Sequence, residues 1–221
     1  MSDDILRQIE EQTHEILSAA ALPSTVGTFV LDEKYSADND TVRIFDYDSR
    51  ARHCTVRAYF DGATSEYKIR VRCGLNDWCL TRFFTGSFDR FMERFRAELD
   101  GLLKTFDEPA SKKNFFIEQL KLSTWEYGKN LPPEINGFEL FIKPSAPIET
   151  TNGSFVVINY VDFDHARDLV VYYNIFSDEF SAEIRDGAHT HLLDELDAKN
   201  SSELETKLKR KLVDCVKLLD K

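Results

Sequence analysis

Apolar residues recur at helical spacing in three parts of the chain: near the N-terminus, after Ser87 and after about Ser201. Residues three or four positions apart share one face of a helix, so each set predicts a helix with one buried side. A shorter helix is predicted over residues 115–122. The three apolar stripes are Ile5, Leu6, Ile9, Ile16, Leu17 and Ala20; Phe88, Phe91, Met92, Phe95, Leu99, Leu102, Leu103 and Phe106; and Leu204, Leu208, Leu212, Cys215, Val216 and Leu219.

Between these helices apolar and polar residues alternate, which is the pattern of strands whose side chains point to opposite faces. Asp61 and Gly62 separate the two clearest runs and are typical of a hairpin turn. The predicted strands cover residues 42–45, 52–60, 67–73 and 78–84 in the first half, and 138–142, 154–162, 168–176 and 179–185 in the second.

Each half therefore contains a helix, four antiparallel strands and a second helix. This order predicts an α+β fold of two similar halves, with the helices packed on one face of each sheet. Pro109 and the polar residues around it place the boundary between 1–108 and 109–221. The similarity lies in the order of elements and not in residue identity, so chance is the alternative to an internal pseudo-repeat. One continuous domain that contains this repeat is the alternative to two domains.

The chain of 221 residues has a net charge of -11 and a pI of about 5.0. Its field repels polyanions, which argues against general binding to nucleic acids or anionic membranes. The acidic N-terminus lacks the pattern of a signal peptide, and no apolar run reaches the roughly 20 residues of a membrane span. We therefore predict a cytoplasmic protein without membrane contact.

One face of the central hairpin is predicted to carry most of the local positive charge. If the two strands pair, Arg57, Tyr59, Lys68, Arg70 and Arg72 share the side opposite the apolar residues. Residues 41–82 contain eight Lys or Arg against five Asp or Glu. The five residues are predicted to bind a partner, which is an acidic protein, a phosphate-bearing ligand or a single-stranded nucleic acid; a solvated sheet face is the alternative.

The strands of the second half have a different pattern. Residues 155–161 and 169–176 are apolar on both faces, whereas a sheet with one wet face alternates. The second face should therefore be covered by the other half of the chain, by a second copy in a homodimer, or by another protein.

His189 and His191 are the strongest candidates for metal ligands. Two histidines at i and i+2 of an extended segment point to the same side and can share a metal ion. The motif is short, and a solvated loop is the alternative. Another charged segment, residues 162–168, is predicted to be a hairpin turn.

No established catalytic or phosphate-binding motif occurs in the chain. Cys54, Cys73 and Cys215 fall on core-facing positions and resemble small buried apolar residues, and a chain of this length does not need disulfides. The sequence thus favours a non-catalytic protein-interaction protein without a cofactor, such as an adaptor, a chaperone-like protein or an inhibitor. A metal-dependent enzyme or sensor that uses His189 and His191, and a binder of anionic ligands or nucleic acid, are the alternatives.

Overall fold

The computed structural model shows an α+β protein whose strands form two antiparallel sheets. The chain divides into two compact units, Met1–Asp107 and Glu108–Lys221. The fold class and the two-half layout predicted from the sequence are thus confirmed. The residues that the structure describes are 7, 9–11, 14, 22–33, 35–38, 40–109, 115–187 and 189–220.

The first unit contains the first sheet and one long helix, α1 (Phe88–Asp107). Its strands are β1 (Thr25–Val26), β2 (Phe29–Asp32), β3 (Ser36–Asp38), β4 (Thr41–Ser49), β5 (Cys54–Asp61), β6 (Glu66–Cys73) and β7 (Asn76–Cys79). They lie in the order β1-β2-β4-β5-β6-β7, with β3 also paired to β4.

Helix α1 covers one face of the first sheet with its aromatic stripe. The Phe95 ring lies 5.1 Å from Phe45 of β4, and the Phe106 ring lies 6.0 Å from Trp78 of β7. Phe95 and Phe45 are fully buried. Aromatic pairs at these separations bury large areas and fix how the helix packs on the sheet.

The second unit contains the second sheet and the C-terminal helix α4 (Ser201–Lys217). Two short helices, α2 (Phe115–Gln119) and α3 (Glu126–Lys129), precede most of the sheet. Its strands are β8 (Glu134–Ile135), β9 (Phe138–Ile142), β10 (Ile148–Glu149), β11 (Ser154–Asp162), β12 (Arg167–Asn174), β13 (Glu179–Asp186) and β14 (His189–Leu192). Leu204, Leu208 and Leu212 of α4 join the core formed by one face of this sheet.

The two sheets have the same strand order. The second runs β8-β9-β11-β12-β13-β14, with β10 also paired to β11. From β4 onward, equivalent residues are 113 positions apart, as Thr41 and Ser154, the first residues of β4 and β11, show. Strand β4 shifts register against β5, and β11 shifts register against β12, each two residues after its first residue.

A hydrogen bond is repeated at equivalent positions of the two units. The Tyr47 hydroxyl donates to the Pro23 carbonyl at 2.8 Å, and the Tyr160 hydroxyl donates to the Pro132 carbonyl at 2.8 Å. Each bond ties the segment before the first hairpin to the long strand, and it gives a buried phenol the partner that it needs.

The finer arrangement differs from the sequence prediction. Within the described residues each sheet has seven strands, whereas periodicity predicts four. The additional strands are not predicted because they are only two to four residues long and show no clear alternation. The predicted strand 78–84 is β7 followed by a 3-10 turn at Thr81–Phe83. Helix α4 is capped by the Asn200 side chain, which accepts a hydrogen bond from Glu203 N.

The predicted N-terminal helix falls mostly outside the described residues. Residues 7, 9–11 and 14 are helical, and Ile9 is buried. Ile5, Leu6, Ile16, Leu17 and Ala20 of its predicted stripe lie outside them. Among the described residues, no helix combines the length and the apolar character needed to cross a membrane.

Candidate functional site

The five predicted partner-binding residues share the face of the first sheet opposite α1, which we call the outer face. In the β5–β6 ladder Arg57 lies opposite Arg70, and Tyr59 lies opposite Lys68. Arg72 is the outward residue next to Arg70 and pairs with Thr55. Directly opposed residues of an antiparallel pair point to the same side, so the ladder brings all five together.

Arg57 is anchored to β4 by a bidentate ion pair. Its Nε donates to Asp46 Oδ1 at 2.9 Å and its Nη2 to Asp46 Oδ2 at 2.8 Å. The hydrogen bonds to Asp46 raise the pKa of Arg57 above its ordinary value. Arg43 Nε lies 3.1 Å from the same carboxylate, which is almost completely buried. Asp46 thus holds two guanidinium groups in fixed positions.

Arg70 and Arg72 share a single carboxylate. Arg70 Nε donates to Asp77 Oδ1 at 2.7 Å, and Arg72 Nη2 donates to Asp77 Oδ2 at 3.3 Å. The hydrogen bond to Asp77 raises the pKa of Arg70. The two arginine side chains are 52% and 66% exposed, so much of each guanidinium faces solvent.

A small depression lies between these groups. It has a volume of about 60 Å³ and is lined by Thr55, Arg57, Arg70, Arg72 and Asp77. This volume holds a few water molecules or one small anionic group. Three guanidinium groups at its wall provide planar sets of N–H donors that suit a carboxylate or a phosphoryl group.

A wider groove adjoins the depression, since Thr55 and Arg57 line both. It has a volume of about 640 Å³ and extends over β2 and β4. Val30 in this groove is 55% exposed. The outer face therefore offers an apolar contact beside the arginine cluster. The remaining lining residues are Thr28, Leu31, Asp32, Arg43, Asp46, Asp48, Arg50 and Ala51.

Tyr59 and Lys68 are placed on the outer face but are buried there. Lys68 Nζ lies 2.7 Å from Asp61 Oδ2 and 4.9 Å from the centre of the Phe84 ring. The Tyr59 hydroxyl lies 3.3 Å from Cys79 Sγ, and burial raises the pKa of Tyr59. These two side chains support the surface, and the accessible cations among the five predicted residues are the three arginines.

The carboxylates of this face do not stand out in the sequence pattern. Arginine and lysine alternate with acidic side chains on it, so the excess of positive charge counted along residues 41–82 does not carry over to the face as a whole. The acidic residues are Asp32, Asp46, Asp48, Asp61, Glu66 and Asp77, among which Asp46, Asp61, Glu66 and Asp77 form ion pairs with the predicted cations. Net positive charge is confined to the rim of the small depression.

His189 and His191 lie on β14 at the edge of the second sheet, where all four residues of the strand are exposed. His191 lies opposite Ile184 and His189 opposite Asp186, so both rings start from the same side of the strand. Within the described part of the chain, no group of three or more His, Cys, Asp or Glu residues could hold a metal ion.

The centre of the equivalent face of the second sheet is buried, whereas Ser181 and Glu183 toward its edge are at least partly exposed. Val156, Val161 and Val170 are at most 1% exposed within the single chain. Asp168, which is completely buried, accepts a hydrogen bond from Arg185 Nε at 2.7 Å and one from Asn159 Nδ2 at 3.0 Å. The homodimer through this sheet stays a prediction, although the centre of the face is already covered within one chain.

No family model, curated protein or solved structure matches the chain.

Proposed function

We propose that the protein is a non-catalytic interaction protein that docks an acidic segment of another protein across the outer face of the first sheet. The observation that supports this most directly is the sharing of Asp77 by Arg70 and Arg72. One carboxylate leaves most donors of these exposed guanidinium groups to solvent, and a carboxylate from a partner matches their geometry.

A protein partner fits the surface better than a nucleic acid does. Carboxylates alternate with the arginines, and the chain as a whole carries a charge of -11. A phosphate backbone, which is charged at every nucleotide, would be repelled along the face, whereas a protein segment needs only one carboxylate at the depression. Tyr59, the aromatic residue among the five predicted ones, is buried at 8% exposure, so its ring is not available to stack on a base. The exposed Val30 adds an apolar contact of the kind that protein interfaces use.

The proposal keeps the predicted cytoplasmic location and assumes no cofactor. The protein would be an adaptor, a chaperone-like protein or an inhibitor, and in each case the partner would present an acidic segment to the outer face. An acidic segment that places one side-chain carboxylate in the depression and runs along the wider groove meets the arginines first and Val30 next.

The test compares tagged wild-type protein with an Arg70→Glu/Arg72→Glu variant in cross-linking capture from the cells of origin. Reversing both charges should reduce capture of the specific partner by about tenfold or more, because the partner's carboxylates then face like charges. The control is Arg90→Glu/Arg96→Glu on α1, which changes the net charge equally at exposed positions away from the outer face.

Proteins held by the wild type and by the control but lost from the outer-face variant would be partners of this surface. Their captured segments should be rich in Asp or Glu. Equal capture by all three proteins would show that the outer face is not the docking surface.

A metal-dependent enzyme or sensor is the second candidate, favoured by the two exposed histidines on β14. Titration calorimetry with Zn²⁺ should then show one tight site that disappears in His189→Ala/His191→Ala. No heat of binding from the wild type would remove this candidate.

A further inference from the structure

Cys54 and Cys73 face each other across the first sheet. Cys54 is the first residue of β5, Cys73 is the last residue of β6, and the two are directly opposed in the ladder. Gly74 N donates to the His53 carbonyl at 2.8 Å, beyond this pair. That bond identifies Cys54 and Cys73 as a non-hydrogen-bonded pair, in which Cα atoms come within about 4.5 Å.

This separation lies within the Cα–Cα range of disulfides, about 4.4–6.8 Å, although near its short end. Both residues are thiols in the structure, and each is only 2% exposed, on the side of the sheet that packs against α1. The hydrogen bond to the Cys73 side chain, together with burial, raises the pKa of the Cys54 thiol. Directly opposed side chains of a non-hydrogen-bonded pair start close together on one face, so both thiols lie on the α1 side of the sheet.

We propose that Cys54 and Cys73 form a reversible cross-strand disulfide by exchange with a low-molecular-weight disulfide. One protein thiolate attacks the small disulfide, whose S–S bond breaks and releases one small thiol. The second cysteine then attacks the mixed disulfide and releases the other small thiol. Two electrons pass from the protein to the small disulfide, and the two thiol protons end on the two released thiols.

The disulfide would lie next to the depression, and it has no equivalent in the second unit. Arg72 directly precedes Cys73, and Thr55 directly follows Cys54, so the bond would close the end of the hairpin beside the depression. The equivalent pair in the second sheet is Arg167 and Asp186, which cannot be oxidised in this way. The modification would be specific to the first unit, and it does not depend on the proposed function.

The other two thiols are not placed to compete for this bond. Cys79 lies on the opposite face of the sheet beside Tyr59, and Cys215 lies in the core of the second unit. Trypsin leaves Cys73 and Cys79 in one peptide, since there is no Lys or Arg between residues 73 and 81. A Cys79→Ala/Cys215→Ala variant removes this ambiguity and keeps both proposed partners.

The experiment equilibrates this variant with oxidised and reduced glutathione over a range of ratios, then alkylates it in denaturant and measures its mass. One set of samples starts folded and a second set refolds from urea in the same buffers, so that slow access to buried thiols cannot hide the bond. We expect both remaining thiols to escape alkylation at oxidising ratios, with a mass lower by two hydrogen atoms and the two cysteine peptides linked.

The control is the same variant held unfolded in urea with the same glutathione mixtures. There the internal bond should form to a smaller extent at each ratio, since only the fold brings the two strands together. Alkylation of both cysteines at every ratio in both sets, or a glutathione adduct on each cysteine, would overturn the proposal. An internal bond that forms equally well in urea would overturn it too, because the fold would then not be its cause.

Discussion

The two sheets have the same strand order and register, but the outer face of the first and the equivalent face of the second carry different side chains. At three equivalent pairs of positions, Arg57 corresponds to Val170, Asp46 to Asn159 and Thr55 to Asp168. In the first sheet the arginines are about half exposed, and in the second the valines are completely buried. Similar backbones thus support solvated ion pairs in one unit and, in the other, buried valines beside a buried polar network.

Two residues are kept between the two faces, a tyrosine at Tyr59 and Tyr172 and an arginine at Arg72 and Arg185. Arg72 and Arg185 occupy the same position, but Arg72 pairs with the exposed Asp77 of the edge strand and Arg185 with the buried Asp168. Strand pairing thus determines on which face a side chain lies, whereas the burial of that face determines whether its charge is accessible. A binding surface therefore has to be identified from exposure, and identity at equivalent positions is not enough.

The largest loss of stability is expected when an arginine of the outer face is placed at the equivalent buried position of the second sheet. Val170→Arg puts a guanidinium at a completely buried position, which should destabilise the protein by at least about 4 kcal/mol. The matched change Arg57→Val leaves Asp46 with Arg43 as its remaining cation and should cost about 1–2 kcal/mol. Urea unfolding of the two variants measures both costs. A mild loss for Val170→Arg would show that the second face is open to water.

The next effect separates the two arginine–carboxylate pairs. Asp168→Ala removes the buried carboxylate to which the mostly buried Arg185 donates, leaving Glu183 at 3.9 Å from Arg185 Nε, and should cost about 3–5 kcal/mol. Asp77→Ala frees two exposed arginines into water and should cost less than about 1 kcal/mol. Thermal and urea unfolding compare them directly. Equal costs would mean that the two ion pairs do not differ in burial as the structure shows.

The smallest effect concerns the pH dependence of the first sheet. The hydrogen bond from Lys68 lowers the pKa of Asp61, and the ion pair with Asp61 raises the pKa of Lys68 in spite of its burial. The stability contributed by Asp61 is therefore present above its unfolded pKa and is lost as pH falls through its lower folded pKa. The contribution of Lys68 is lost only as pH rises through its raised folded pKa.

The second sheet has Asn174 and Ser181 at these positions, so Asp61→Asn gives the first sheet the residue of the second. The variant should be less stable by about 0.5–1 kcal/mol at neutral pH, and the difference should vanish in acid. Unfolding free energies measured from pH 7 down to pH 2 test this. A difference that persists at pH 2 would show that the ion pair is not its source.

The sequence predicts the outer face of the first sheet only in part. Alternation in β5 and β6 is regular, so the side on which Arg57, Arg70 and Arg72 lie follows from parity. In β4 the register shift between Arg43 and Phe45 breaks the alternation, which hides the fact that Asp46 joins the arginines. Parity also cannot show that Phe84 covers Lys68, since that contact comes from a loop after the strands.

For the second sheet, the sequence predicts that the face is covered but not the polar network within it. The doubly apolar pattern of residues 155–161 predicts a covered face, and the central valines of that face are buried. The pattern does not predict the Asn159, Asp168 and Arg185 network, because polar residues in a strand are equally typical of a wet face. Only the burial of the Asp168 carboxylate distinguishes the two cases.

The strand order of the first sheet has a consequence for how the protein is made. All pairings of the sheet are antiparallel and join residues between Thr25 and Cys79, and α1 follows directly after them. Contacts that are short in sequence close quickly, and domains tend to form as the chain leaves the ribosome. We therefore expect the outer face to be assembled, and accessible to the proposed partner, while the second unit is still being translated.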